Sequence, residues 1–378
     1  MVRSKYFSAC IGLNLALCIF TAQLAEGFDS QLEGRVKLGS AYVFDSPSGF
    51  KDFDSEAELR LGILGNAWQG DVWQLDYELS ADAKQADGAS VQSGLRRKTD
   101  VDFFRAWLRL DNGDFKIRAG RQKILFGAAT LYRPLGFFDT RDVTGVVPET
   151  RGVDGFRSTW FISASSFLES WLVPAKKNGS FIVGLRGEAL IADMEVGLAL
   201  QYHPRSDLKS LVDFDQEMVQ MGYHFKGEIE FGFWNESRLD IETSSSLRFD
   251  TVLGLDYTFN LGEGLHVLME YFLTTRQKSF TLTDLKGQRT IQQIGFLMDQ
   301  PVGIDIRWQV FGLYDLRDKS FQLVPQIEYS VTETLFLYLH GRLGGNIKTG
   351  KKDGRLHRRT GTFSGTESLM GLTLVNYF

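Results

Sequence analysis

The sequence predicts an all-β fold, a transmembrane antiparallel up-and-down β-barrel of about 18 strands, within a range of 16–18. Three observations lead there. Beyond the first 27 residues, apolar and polar side chains alternate with period two, and no helical period appears. The breaks between alternating segments are short and long in turn, which places tight periplasmic turns at one rim and longer extracellular loops at the other. The last segment, MGLTLVNYF from Met370, stops on an aromatic residue, Phe378.

The first residues read as a leader. Arg3 and Lys5 precede an apolar run from Ala9 to Phe20, and a short polar segment closes on Ala25-Glu26-Gly27. That is the order of a secretory signal, cut after Gly27, and the run falls short of the roughly 20 residues a helical span needs. Bulky Leu17, directly before Cys18 in Leu15-Ala16-Leu17-Cys18, argues against lipid attachment there. The expected organisation is a signal peptide over 1–27 and a single barrel domain over 28–378. Both cysteines, Cys10 and Cys18, fall in the leader, so the mature chain offers no disulfide and no thiolate metal site. A net charge of −5 excludes the basic footprint of a general nucleic-acid binder.

Strands are expected over 30–44, 56–65, 71–83, 101–111, 115–123, 156–162, 167–173, 180–190 and 193–203 in the first half. The second half adds 214–226, 228–237, 247–259, 264–275, 290–299, 302–313, 320–331, 334–345 and 366–378. Leu59, Leu61 and Ile63 define the second segment, and Trp73, Leu75, Tyr77 and Leu79 the third. Leu198, Leu200 and Tyr202 alternate with Gly197, Ala199 and Gln201. Phe249, Leu253, Leu255, Tyr257 and Phe259 face away from Arg248, Asp250 and Asp256. Leu265, Val267, Met269, Tyr271 and Leu273 oppose His266 and Glu270, and Leu335, Leu337, Leu339 and Leu343 oppose Tyr338, His340 and Arg342. Glu169 is expected to face the lumen, because a carboxylate in hydrocarbon is costly. Pro325 interrupts its strand by removing a ladder donor, which predicts a bulge. Met370, Leu372, Leu374 and Phe378 share one face of the last strand. Tyr377 and Phe378 resemble the terminal signal that the barrel-insertion machinery of Gram-negative outer membranes reads.

The hairpin around Asn112-Gly113, a strong turn pair, tests the two faces. Centred there, it sets Leu110 opposite Phe115, Leu108 opposite Ile117 and Ala106 opposite Ala119. The other face takes Arg109 opposite Lys116 and Trp107 opposite Arg118, with Arg105 beside Gly120. Apolar residues then meet lipid and basic residues line water. Closure follows because every unpaired backbone group is costly in hydrocarbon.

The connection after this hairpin is far longer than a turn requires, and its aromatics argue against disorder. It carries Arg121, Arg133, Asp139, Arg141, Asp142, Glu149, Asp154 and Arg157. Residues 124–155 are therefore expected to fold into the barrel mouth as a constriction loop. Here Ile117-Arg118-Ala119-Gly120-Arg121-Gln122, Phe126-Gly127, Pro134, Phe137-Phe138, Asp139, Arg141-Asp142, Glu149 and Gly152-Val153-Asp154-Gly155-Phe156-Arg157 resemble a segment of porin-like outer-membrane barrels related to the alginate-export channels. The resemblance spans about 40 residues and implies a diffusion channel or an exporter in the Gram-negative outer membrane. It brings no substrate-binding residues.

The expected chemistry is electrostatic. Arg105, Arg109, Lys116 and Arg118 form a basic wall that Asp139, Asp142, Glu149 and Asp154 of the loop could face, giving a transverse field across a narrow gap. The bland alternative is a set of ion pairs that pin the loop. Elsewhere Glu195, Glu228, Glu230, Asp250, Asp256, Glu270, Asp305 and Glu328 mix with Arg186, Arg248, Arg307 and Arg342 on lumen faces, which leaves ion selectivity open. A basic stretch, Lys348, Lys351, Lys352, Arg355, His357, Arg358 and Arg359, reads as a solvated loop that could meet lipopolysaccharide phosphates. The five histidines show no metal-ligand spacing, and no nucleotide, haem or serine-hydrolase fingerprint occurs. No catalytic residue, cofactor or metal is expected. The expected partners are outer-membrane lipid, the insertion machinery and small hydrophilic solutes, with a homo-oligomer compatible with the architecture. Two other functions fit the same barrel: a sheath around a partner protein such as an electron-conduit cytochrome, and an exporter of an anionic polysaccharide.

Overall fold

The computed structural model describes residues 30–45, 52–87, 97–175, 179–204, 217–243, 246–277, 289–346, 362–363 and 367–378. The leader 1–27 with both cysteines and the basic stretch 348–359 lie outside the described residues. Eighteen strands follow one another. The first nine are β1 (Ser30–Asp45), β2 (Asp52–Gln69), β3 (Gln74–Asp87), β4 (Arg97–Asp111), β5 (Phe115–Gln122), β6 (Val153–Ser163), β7 (Ser166–Pro174), β8 (Phe181–Ile191) and β9 (Met194–His203). The others are β10 (Met218–Glu228), β11 (Gly232–Glu242), β12 (Leu247–Phe259), β13 (Leu265–Gln277), β14 (Arg289–Val302), β15 (Ile306–Asp315), β16 (Ser320–Ser330), β17 (Leu335–Asn346) and β18 (Ser368–Tyr377). Each pairs antiparallel with its neighbours in sequence, and β18 pairs with β1. The sheet has no free edge.

The alternation decides which face is which. Leu198, Leu200 and Tyr202 are exposed while Ala199 and Gln201 between them are buried, and Leu253 and Leu255 flank a buried, inward residue pattern in the same way. The barrel thus turns a ring of large apolar side chains outward, the solution a closed sheet adopts in lipid. Among the described residues no helix is present. Turns between β6 and β7 or β8 and β9 leave only residues 164–165 and 192–193, whereas 123–152 separate β5 from β6.

Two expectations of register change. The β4–β5 hairpin pairs Leu110 with Ile117, Leu108 with Ala119, Arg109 with Arg118 and Trp107 with Gly120. The turn takes in Asp114, because Asn112 N bonds Phe115 O at 3.1 Å and Asn112 Oδ1 accepts from Phe115 N at 2.7 Å. Gly113, at φ 90°, donates its N–H to Asp111 Oδ1. The pairing shifts by an even number of residues, so both faces keep their occupants. Pro325 makes no bulge: pairing runs in one register from Leu323 with Leu343 to Gln326 with His340. The ring lies beside Gly341, so the missing N–H is accommodated without an extra residue. Glu169 faces inward, 1 % exposed, with Arg157 and Arg186 as partners.

The terminal aromatic seats on the closing seam. Phe378 N and O exchange hydrogen bonds with Gly34, and a side chain at Gly34 would overlap the Phe378 ring.

Candidate functional site

Residues 123–152 fold back inside the barrel, and the reason lies on its inner wall. Apolar inward side chains receive the segment at two places. Ile124, Phe126 and Leu135 pack with Trp171, Val173, Ile182 and Ala199 of β7–β9. Ala129 and Leu131 pack with Trp234, Val252, Leu268, Phe311 and Val324 of β11–β16. Trp171 and Trp234 each lie over a glycine of the next strand, Gly184 and Gly254, where any side chain would collide with the indole. Tyr132 stacks on Phe272 at 4.8 Å.

Two wall carboxylates hold the backbone. Glu236 accepts the N–H of Ala129 at 2.9 Å and that of Leu135 at 2.5 Å. Glu270 accepts from Thr130, Leu131 and Tyr132 at 2.6, 3.0 and 2.8 Å, and from the Trp234 indole at 3.0 Å. Both glutamates are 0 % exposed. Gly127, at φ 102°, passes so close to Glu236 that no side chain fits. Arg238 of β11 donates to Pro134 O at 2.7 Å. These bonds satisfy buried donors that would otherwise each cost about 1–3 kcal/mol.

The far end of the segment crosses to the opposite wall. Glu149 meets Arg35 of β1 at 2.9 Å and Arg60 of β2 at 2.8 and 3.0 Å. Burial pushes the Glu149 carboxyl up, but Arg60 and Arg35 together hold it below the usual carboxylate range. Arg342 of β17 donates to Thr144 Oγ1 at 2.8 Å, and Arg105 of β4 to Thr150 O at 2.9 Å. Contacts with β1, β2, β4 and β17, and with strands from β7 to β16, require the segment to lie across the interior.

The residues singled out from sequence fall into four groups. Arg133, Asp139 and Arg141 bond mostly within the segment: Arg133 to Asp139 at 3.4 Å, Asp139 to Thr150 Oγ1 at 2.6 Å, Arg141 to Thr130 O at 2.8 Å. Arg105, Glu149 and Asp142 reach between segment and wall, Asp142 lying 3.9 Å from Arg342. Arg121 and Asp154 pair with each other at 2.9 Å, and Arg121 also with Asp102 at 2.6 Å, at the base of the segment. Arg109, Lys116, Arg118 and Arg157 form a basic wall. The expected opposition of basic wall and acidic loop is not how these groups meet. The acids are engaged by Arg35, Arg60, Arg121, Arg133 and Arg342 instead.

The basic wall has its own geometry. Cross-strand pairing puts Arg118 directly between Arg109 and Arg157. Arg109 binds Asp76 at 2.7 Å, and Arg157 binds Glu169. Arg118 has no ion pair among the described residues; its guanidinium lies over Trp107, 4.3 Å from the ring centroid. With Lys116 and Arg186 these arginines line a cavity of about 280 Å³ that Glu169, Thr159, Phe161 and Phe167 complete. A second cavity, of about 540 Å³, opens between Thr140–Glu149 of the segment and the wall of β1, β2 and β17. Sequence reasoning missed Glu236, Arg35, Arg60 and Arg238, since each sits in an ordinary alternating strand.

The closed 18-stranded barrel has the fold of outer-membrane porins. Acinetobacter baumannii OccAB1 superposes with a TM-score of 0.61 at 10 % identity, covering 93 % of this chain and 96 % of that one. OccAB3 from the same organism gives 0.57 at 11 %, over 93 % and 99 %. The anion-selective porin from Comamonas acidovorans gives 0.50 at 14 %, over 92 % and 99 %. No family model matches the sequence, and no curated protein does.

Proposed function

We propose that this chain is an outer-membrane channel for passive diffusion of small hydrophilic solutes, narrowed by residues 123–152. The observation that carries this reading is the span of that segment from Glu236 and Glu270 on one side to Arg35, Arg60 and Arg342 on the other. It leaves a cavity of about 540 Å³ between itself and the wall of β1, β2 and β17 rather than a wide tube. That arrangement disfavours a sheath, since the segment occupies the space a protein partner would need.

Negatively charged solutes are the favoured cargo. Five cations surround the smaller cavity, and Arg118 stands among them without a carboxylate of its own. A fixed positive field of this kind raises the local concentration of anions and lowers that of cations. The same feature suits a channel for anionic small molecules better than a polymer exporter, since Glu169, Asp76 and Glu188 interrupt the basic wall. The test is the reversal potential of single channels in a salt gradient. Anion preference that falls on Arg118→Ala supports the reading; cation preference in the intact protein contradicts it.

A further inference from the structure

One cluster of the lumen wall takes no part in holding the segment. Glu188 of β8, Glu195 of β9 and His224 of β10 point inward from three neighbouring strands close to the short turns at 192–193 and 229–231. Their ligand atoms all lie within 4.8 Å of one another. His224 Nε2 is 3.1 Å from Glu195 Oε1 and 3.6 Å from Glu188 Oε2. Donor atoms at the corners of a tetrahedral zinc site, bound at about 2.0–2.2 Å, sit roughly 3.3 Å apart, so the two histidine–carboxylate separations need little adjustment, and the carboxylates would close on each other from within 4.8 Å.

The backbone prepares this meeting. Gly197 pairs with both Glu188 and His224, and any side chain there would overlap the imidazole. The bare position lets the ring lie over β9 and bring Nε2 to both carboxylates, while His224 itself is 3 % exposed. Other charged groups facing the cluster are Arg186, 3.2 Å from Glu188 and 3.1 Å from Glu169, and Lys226, paired with Glu195 across the ladder.

From this geometry we propose that Glu188, Glu195 and His224 form a binding site for a divalent transition metal of the zinc class. One imidazole and two carboxylates suit a borderline cation, and three protein ligands leave a position open to the lumen. His266 provides the contrast. It also meets two carboxylates, but Asp299 through Nδ1 at 2.8 Å and Asp256 through Nε2 at 3.5 Å, on opposite edges of the ring. No single ion can join those three. The sequence spacing of the histidines conceals the site because its ligands come from separate strands.

The test is equilibrium dialysis of the folded, untagged barrel in detergent against zinc chloride, a readout independent of conduction. One zinc per barrel is expected, with affinity falling at least about tenfold in His224→Gln and in the double variant Glu188→Gln/Glu195→Gln, and unchanged in His266→Gln. The carboxylate variant keeps the test available if His224→Gln does not fold. Absence of stoichiometric zinc, or equal loss in His266→Gln, overturns the site. In planar bilayers, zinc should shift the reversal potential toward anions in the intact protein and leave His224→Gln unmoved.

Discussion

Glu270 collects three consecutive backbone donors and an indole, so a single side chain fixes a whole turn of the inner segment. In Glu270→Ala those donors lose their acceptor, at roughly 1–3 kcal/mol for each one that water does not reach. The expected result is faster amide exchange at residues 130–132 and noisier single-channel current, with the barrel still folded. Glu149 sets a pH limit at the other end. Its carboxyl is held below its ordinary value, so its tether to Arg35 and Arg60 is fully present above the unfolded pKa and is lost only as pH falls through the lower folded value. The contribution of this tether to conductance should therefore be the same from neutral pH to about pH 5 and change only in stronger acid. Glu149→Gln should abolish that acid step; a step persisting in the variant would assign it to another group. At this scale the sequence was least informative. It flagged Asp142 and Glu149 as charged loop residues, but their partners Arg342, Arg35 and Arg60 belong to strands far away in the chain.

Strands were legible because lipid and lumen impose opposite demands on alternate residues. The β12 and β13 faces could be read directly from Phe249 to Phe259 and from Leu265 to Leu273. Turn chemistry was harder, since Asp111 and Asn112 side chains draw Asp114 into the β4–β5 turn, which no alternation records. The apolar inward residues Trp171, Trp234, Val252 and Phe311 break the expected polar lumen, and they mark where the inner segment lands. The basic wall belongs to this scale too. Arg118 opposed by arginines on both sides is unfavourable for folding, and Arg118→Ala should raise barrel stability by up to about 1 kcal/mol while reducing anion preference. Reversal potential and the denaturation midpoint measure the two effects separately. On the closing seam, Gly34→Val should displace the Phe378 ring and lower the temperature at which the barrel loses its compact gel mobility. An unchanged transition would show that the ring is not a closing contact.

At the scale of the molecule, the closed sheet provides the wall, and in the proposed function the inner segment sets how much of its bore remains open. The wall follows from alternation and backbone satisfaction, which is why eighteen strands could be counted before their pairing was known. Placement of the segment depends on contacts between residues more than 100 positions apart, such as Leu135 with Glu236, and these leave no local pattern. One comparison tests the channel directly: single-channel conductance of the intact chain against a variant lacking residues 128–150. Steady ohmic steps in the intact protein, with markedly larger steps after the deletion, are predicted. A folded barrel that never conducts, or a deletion that leaves conductance unchanged, would contradict it.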